Sequence, residues 1–263
     1  MTDDWTPVTT GESGATVLRS PDGTRYAKHV PATAPAGHAG AAALAAERDR
    51  TAWLADRPGA PGPRVLDWRS DAAGARLVTA AVPGVPADQL PPAELRACWP
   101  ALAEAVRDLH ALPAADCPYR RDLDGVFATA RDVVARGAVN PDFLPVEQQH
   151  TPAPELLARL EPELPGRREQ AAADPVVCHG DLTLSNIVLD PHTRTVAGFV
   201  DLGRLGLADR HSDLAVLFAH ARETWPTAAE ARVREMVFAA RYGTAPDPDR
   251  LRFYLHLDPL TWG

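Results

Sequence analysis

Val176-Val177-Cys178-His179-Gly180-Asp181-Leu182-Thr183-Leu184-Ser185-Asn186-Ile187-Val188-Leu189 is the stretch from which the rest of the chain can be read. An apolar triplet too short for a helix runs into a polar loop that opens on His-Gly-Asp, and a second apolar triplet follows Asn186 at once. Beyond a turn at Asp190-Pro191-His192-Thr193 lies Val196-Ala197-Gly198-Phe199-Val200-Asp201. This alternation of strand, loop, strand, turn and strand predicts one small sheet, with the loop Asp181 to Asn186 and the residue Asp201 at the same end of it.

On the N-terminal side, Thr16-Val17-Leu18-Arg19, a Ser20-Pro21-Asp22-Gly23 turn and Thr24-Arg25-Tyr26-Ala27-Lys28 read as a hairpin that leaves Lys28 near a strand end. Ala41 to Ala55 reads as a helix with Leu44, Glu47, Thr51 and Leu54 on one stripe. A carboxylate on an inward stripe needs a partner, and Lys28 is the natural one, unless Glu47 sits at the stripe's edge and faces water. Val65 to Trp68 and Ala75 to Thr79 are further strands, and the Pro and Gly break Ala80-Ala81-Val82-Pro83-Gly84 marks a boundary. From Pro92 the spacing of Leu95, Trp99, Leu102, Val106 and Leu109 predicts a buried helix closed by His110, which reads as a packed or capping histidine. The expected fold class is therefore α+β in two lobes: residues 1–79 as a sheet-based N-lobe with one helix, 80–84 as a hinge, and 85–263 as a larger, mainly helical lobe.

Composition removes whole classes of function. At 263 residues, with 45% hydrophobic and 24% charged content, the chain has the make-up of a globular protein. Its net charge of -8 without a basic tract argues against nucleic acid or anionic membrane as partner. Apolar runs fall short of the roughly 20 residues that span a bilayer, and Met1-Thr2-Asp3-Asp4-Trp5 lacks a secretory signal, so a cytoplasmic location is expected. Three cysteines, Cys98, Cys117 and Cys178, are an odd number without paired spacing and fit a reducing compartment. No obligate protein partner is evident. Among 27 basic residues Lys28 is the single lysine, and a compact ammonium is not replaceable by guanidinium where a phosphate must be met in a tight site.

Phosphoryl transfer needs a base for the acceptor hydroxyl, oxygen ligands for magnesium and a cation on the nucleotide phosphates. Asp181 precedes Asn186 by the five residues that separate the base and the metal-binding amide in kinase catalytic loops, and Asp201-Leu202-Gly203 stands where a second metal ligand belongs. Neither a Gly-x-x-x-x-Gly-Lys-Ser/Thr loop nor a Gly-x-Gly-x-x-Gly turn is present, a Ser nucleophile elbow is lacking, and the histidines show no metal-ligand spacing.

His179-Gly180-Asp181 through Asn186, Val200-Asp201-Leu202-Gly203-Arg204-Leu205-Gly206 and Ala208-Asp209-Arg210-His211-Ser212-Asp213-Leu214-Ala215 resemble the aminoglycoside phosphotransferase family. The likeness extends over nearly the whole chain. Asn140-Pro141-Asp142-Phe143-Leu144-Pro145 and the tail Phe253 to Gly263 are most similar to its streptomycin 3''-phosphotransferase branch. The resemblance implies a protein-kinase-like two-lobe fold, ATP with two magnesium ions as cofactors, and transfer to the 3''-hydroxyl of streptomycin, which confers resistance. By the same resemblance Asp181 is the base, Asn186 and Asp201 hold the metal, and Lys28 paired to Glu47 meets the α and β phosphates. The Gly11 to Gly14 turn with Ser13 covers the phosphates, the main chain of Ala80 and Val82 takes the adenine, His179 and Arg204 brace the loop, and Asp213 is structural.

For the acceptor, Asp258 is expected to face inward near the chain end, where it suits either a cationic ligand group or a neighbouring arginine. Trp262 either stacks on a ligand plane or packs as a tail residue. The tail departs from that of kanamycin-type 3'-phosphotransferases, which end in acidic residues followed by Phe. Rival readings are a 3'-phosphotransferase for kanamycin or neomycin, a kinase of the same fold for another small molecule, and a nucleotide-binding module without catalysis.

Overall fold

The computed structural model describes residues 5–8, 15–33 and 40–263, and the chain divides into two compact units. One comprises 1–89 together with 185–204, the other 90–184 together with 205–263. The sequence reading assigned everything after residue 84 to the second lobe. Instead, the chain returns at Ser185 to pack its next twenty residues with the first unit and leaves again after Arg204.

In the first unit a five-stranded antiparallel sheet among the described residues is built from β1 (Thr6–Val8), β2 (Thr16–Arg19) and β3 (Arg25–Pro31). A helix, α1 (Ala41–Ala55), follows, and β4 (Val65–Asp71) and β5 (Gly74–Ala80) complete the sheet in the order β1-β2-β3-β5-β4. The β2–β3 turn forms where Ser20 and Asp22 hydrogen-bond side chain to side chain and Gly23 takes the left-handed conformation at φ 70°. β3 runs on to Pro31 because its pairing with β5 continues as far as Gly74, so Lys28 lies inside the strand and not near its end. Gly74 itself has φ 139°, and a β-carbon there would sit 2.2 Å from the carbonyl oxygen of Val30. One face of the sheet buries Val30, Ala75 and Leu77 against Leu44 of α1.

The single sheet expected around Val176 to Asp201 is two. Val176–Cys178 pairs antiparallel with Gly206–Ala208, a strand the sequence reading did not foresee, and both belong to the second unit. Ile187–Asp190 pairs with Thr195–Phe199 and with Val85–Pro86, all in the first. The reason is that the loop after Cys178 carries the chain from one unit into the other before the next strand begins.

The second unit is helical: α2 (Pro92–His110), α3 (Leu123–Ala135), α4 (Ala153–Leu160), α5 (Leu164–Ala173), α6 (Arg210–Thr224), α7 (Ala228–Tyr242) and α8 (Pro248–Leu257). Trp99 of α2 is fully buried, edge-on to Trp225 and beside Phe238, and its indole N–H donates to the carbonyl of Arg234 at 2.8 Å. A second apolar cluster joins Phe127 of α3, Leu156 and Leu160 of α4 and Phe253 and Leu257 of α8.

Asp209 ties this unit together. Fully buried at the N-cap of α6, it accepts from the backbone N–H and ring Nδ1 of His211 at 2.9 and 2.8 Å. It also accepts from Arg250 Nε at 3.0 Å and from the Tyr254 hydroxyl at 3.1 Å, both on α8. Burial pushes its carboxyl up, but these donors overcome that and hold it at about 2. A carboxyl depressed below its unfolded value stabilises the fold above the ordinary carboxylate range and loses that contribution as pH falls toward the folded value. Asp209→Asn is therefore expected to cost about 3 kcal/mol at neutral pH. The gap between wild type and variant should close between pH 4 and pH 2, as followed by urea melts at each pH.

Candidate active site

In the first unit, β3 and α1 bring Lys28 and Glu47 together, with Nζ 2.8 Å from Glu47 Oε2. A second carboxylate completes the arrangement, since Asp201 Oδ1 lies 3.1 Å from the same Nζ. Lys28 and Glu47 are largely buried, and Asp201 keeps 43% of its side chain exposed. Burial works to lower the Lys28 pKa, but the charges of Asp201 and Glu47 outweigh it and hold the ammonium above its ordinary value. Asp201 adopts φ 58°, a left-handed conformation that a non-glycine residue occupies only when its surroundings impose it. Its segment is stitched to that of Asn186 by the N–H of Val200, which donates to the Asn186 carbonyl at 3.0 Å.

These groups line one cavity of about 320 Å³. Lys28, Glu47, Asn186 and Asp201 form its polar side, Val17, Leu77, Val188 and Val200 line it with apolar surface, and Ala80 and Val82 also line it. Six residues named from the sequence thus share one wall system. Thr51, Thr79 and Gln89 also face it and were not foreseen. Thr79 stands just before the hinge residues and Thr51 follows Glu47 by one helical turn, so spacing could have nominated both. Ser13 and the rest of the Gly11 to Gly14 turn lie outside the described residues. Arg204 closes the short helical turn Leu202–Arg204 and is not among the cavity's lining residues.

Asp181 belongs to the second unit. The strand Val176–Cys178 delivers His179, Gly180 turns the chain at φ 84°, and Asp181 follows, half-buried. His179 is fully buried, and its ring Nδ1 accepts the N–H of Asp181 at 3.3 Å. The N–H of His179 and that of Gly180 donate to Asp213 Oδ2 and Oδ1 at 2.7 and 2.8 Å. Asp213, named from the sequence as structural, is thus the anchor of this loop. His110 is likewise packed, between Asp213 and Tyr242.

Near the chain end, Trp262 donates its indole N–H to Asp258 Oδ2 at 3.1 Å, so the two residues proposed for the acceptor touch. The guanidinium of Arg121 is 3.9 Å from Asp258 Oδ1, the arginine partner that the sequence reading kept open. Helix α8 stops at Leu257, one residue before Asp258.

The arrangement can hold a nucleotide: apolar walls for a base, a buried ammonium for phosphate, and hard oxygen donors for a divalent cation. Glu47→Gln, which removes one of the two charges holding Lys28, should weaken adenine nucleotide binding about tenfold in calorimetric titration.

The profile of the phosphotransferase enzyme family matches residues 4–254. A streptomycin 3''-kinase of Streptomyces griseus is 65% identical over 260 residues, covering 99% of this chain and 93% of that one. An aminoglycoside 3'-phosphotransferase of Streptomyces fradiae is 41% identical over 267 residues, covering 97% and 94%. The solved aminoglycoside phosphotransferase APH(3'')-Id of Streptomyces rimosus, in complex with ADP and streptomycin, superposes with TM-score 0.91 at 59% identity, covering 98% and 93%.

Proposed function

This chain belongs to the phosphotransferase enzyme family, and from that membership we propose that it transfers the γ-phosphoryl group of ATP to the 3''-hydroxyl of streptomycin. The observation that carries the catalytic half is the Lys28 ammonium held between Glu47 and Asp201 in a cavity that Asn186 shares. The acceptor half is supported by the 65% identity to a streptomycin 3''-kinase and by the likeness to a structure solved with ADP and streptomycin.

The adenine edge meets the connection after β5. The Ala80 N–H already donates to the Arg64 carbonyl at 2.8 Å, so Ala80 offers the base its carbonyl and Val82 its N–H. Lys28 binds the α and β phosphates. Asn186 and Asp201 would hold magnesium, which when bound neutralises charge on the β and γ phosphates. Asp181 orients the 3''-hydroxyl and takes its proton. The new bond joins the 3''-oxygen to the γ-phosphorus, the bond from that phosphorus to the β,γ-bridging oxygen breaks, and ADP leaves with the electron pair. A neutral hydroxyl becomes a group of about -1.5 to -2 charge at pH 7, which together with its bulk explains how the product loses its action as an antibiotic. Asp258 and Trp262 belong to the acceptor side in this reading. Action in the cytoplasm, where ATP is available, is part of the reading, and no helix among the described residues is long and apolar enough to cross a membrane.

Purified protein with magnesium and ATP is expected to convert streptomycin to its 3''-phosphate, read by phosphorus and proton NMR of the product. Turnover of kanamycin with none of streptomycin would move the assignment to the 3' class. Asp181→Asn should lower kcat roughly 10²- to 10⁴-fold and leave ADP affinity unchanged.

A further inference from the structure

Behind the loop that carries Asp181 lies a line of buried side chains that the proposed reaction does not use directly. We propose that Tyr242, acting through His110 and Asp213, is a positioning residue for the catalytic loop, and that its hydroxyl proton fixes the direction of every hydrogen bond in that line. The inference rests on Asp181 being the base.

The direction follows from groups whose roles are not free. Asp213 is 1% exposed and accepts from two backbone N–H groups, those of His179 and Gly180. Amides only donate, so Asp213 acts as an ionised acceptor. Burial pushes its carboxyl up, yet the hydrogen bonds it accepts keep it below the ordinary value. His110 Nε2 lies 3.1 Å from Asp213 Oδ2 and must therefore carry the proton. In the proposed arrangement that is the ring's one proton, so Nδ1 presents its lone pair 2.7 Å from the Tyr242 oxygen and the phenol is the donor. Burial raises the Tyr242 hydroxyl above its usual range, so the proton stays on it.

Neither ring is placed loosely. His110 ends α2 and Tyr242 ends α7, where Gly243 at φ 92° stops the helix. Tyr242 stacks on Phe238 with centroids 5.6 Å apart and meets His110 edge-on at 5.7 Å. At 4% and 5% exposure, a missing hydroxyl would leave His110 Nδ1 buried without a donor. The Cys178 sulfur lies within 4.8 Å of the ligand atoms of His110 and Asp213. Burial drives that thiol well above its ordinary value, and His110 Nε2 is turned to Asp213, so the cluster acts as a hydrogen-bond relay and not as a thiolate metal site.

Tyr242→Phe is expected to lower kcat for streptomycin phosphorylation roughly fivefold to tenfold. KM for ATP and for streptomycin should stay within about twofold of wild type. His110→Gln, whose amide can donate to Asp213 and accept from Tyr242, should keep most of the activity. In a His110→Leu background, Tyr242→Phe should add no further loss. Nitrogen-15 NMR of the nucleotide-free protein, labelled at histidine, should find His110 protonated at Nε2 and bare at Nδ1, and should lose that signature in Tyr242→Phe. A wild-type His110 protonated at Nδ1, or a Tyr242→Phe enzyme with wild-type kcat, would overturn the proposal. Because the NMR readout needs no turnover, wild-type protein that phosphorylated no acceptor would sink the functional reading while the tautomer still decided the relay.

Discussion

An ammonium can be buried only where negative charge meets it, and Lys28 is met twice. That requirement organises the first unit. β3 supplies the cation, α1 supplies Glu47, and the returning segment 185–204 supplies Asp201, so three stretches distant in sequence converge on one nitrogen. The unit is discontinuous in sequence for this reason as much as for its apolar packing. Asp201 reaches the ammonium from a left-handed backbone conformation, a local strain held in place by the strand pairing before it and the contact with Lys28.

The second unit solves the converse problem, that of buried carboxylates. Asp213 receives two amides and one imidazole, and Asp209 receives an amide, an imidazole, a guanidinium and a phenol. In both cases the donors come from several elements, so each charge works as a clamp. Asp213 sets the backbone of His179 and Gly180, which leads straight into Asp181. Asp209 joins the start of α6 to α8, the helix that stops at Leu257, just before Asp258. A rigid loop suits the proposed role of Asp181 as base, because misplacement of a reacting group by an ångström is enough to slow a reaction severely.

The chain's composition sharpens the role of Lys28. Arginine serves each of the other 26 Lys or Arg positions, including the ion pairs with Glu163, Glu230 and Asp209. Those sites accept a planar fork; the narrow space between Glu47 and Asp201 accepts a point charge.

Local pattern was enough to read α1 from Ala41 to Ala55, α2 from Pro92 to His110, the β2–β3 hairpin and the Asp181, Asn186 and Asp201 spacing, because helical period, turn chemistry and short apolar runs are written in neighbouring residues. The pairing of Lys28 with Glu47 was also legible, since an inward acid on the helix after the strand has few cations to choose from. Tertiary structure alone decided that Asp201, 173 residues away, shares that ammonium, and that Val176–Cys178 pairs with Gly206–Ala208 and not with the strand that follows it. It alone made Asp213 the acceptor for the His179 and Gly180 amides, and brought Tyr242 to His110. The physical reason is the same in each case: the partner of a buried polar group is chosen by where the packed chain leaves a donor or acceptor without water, and no spacing within a local stretch encodes that.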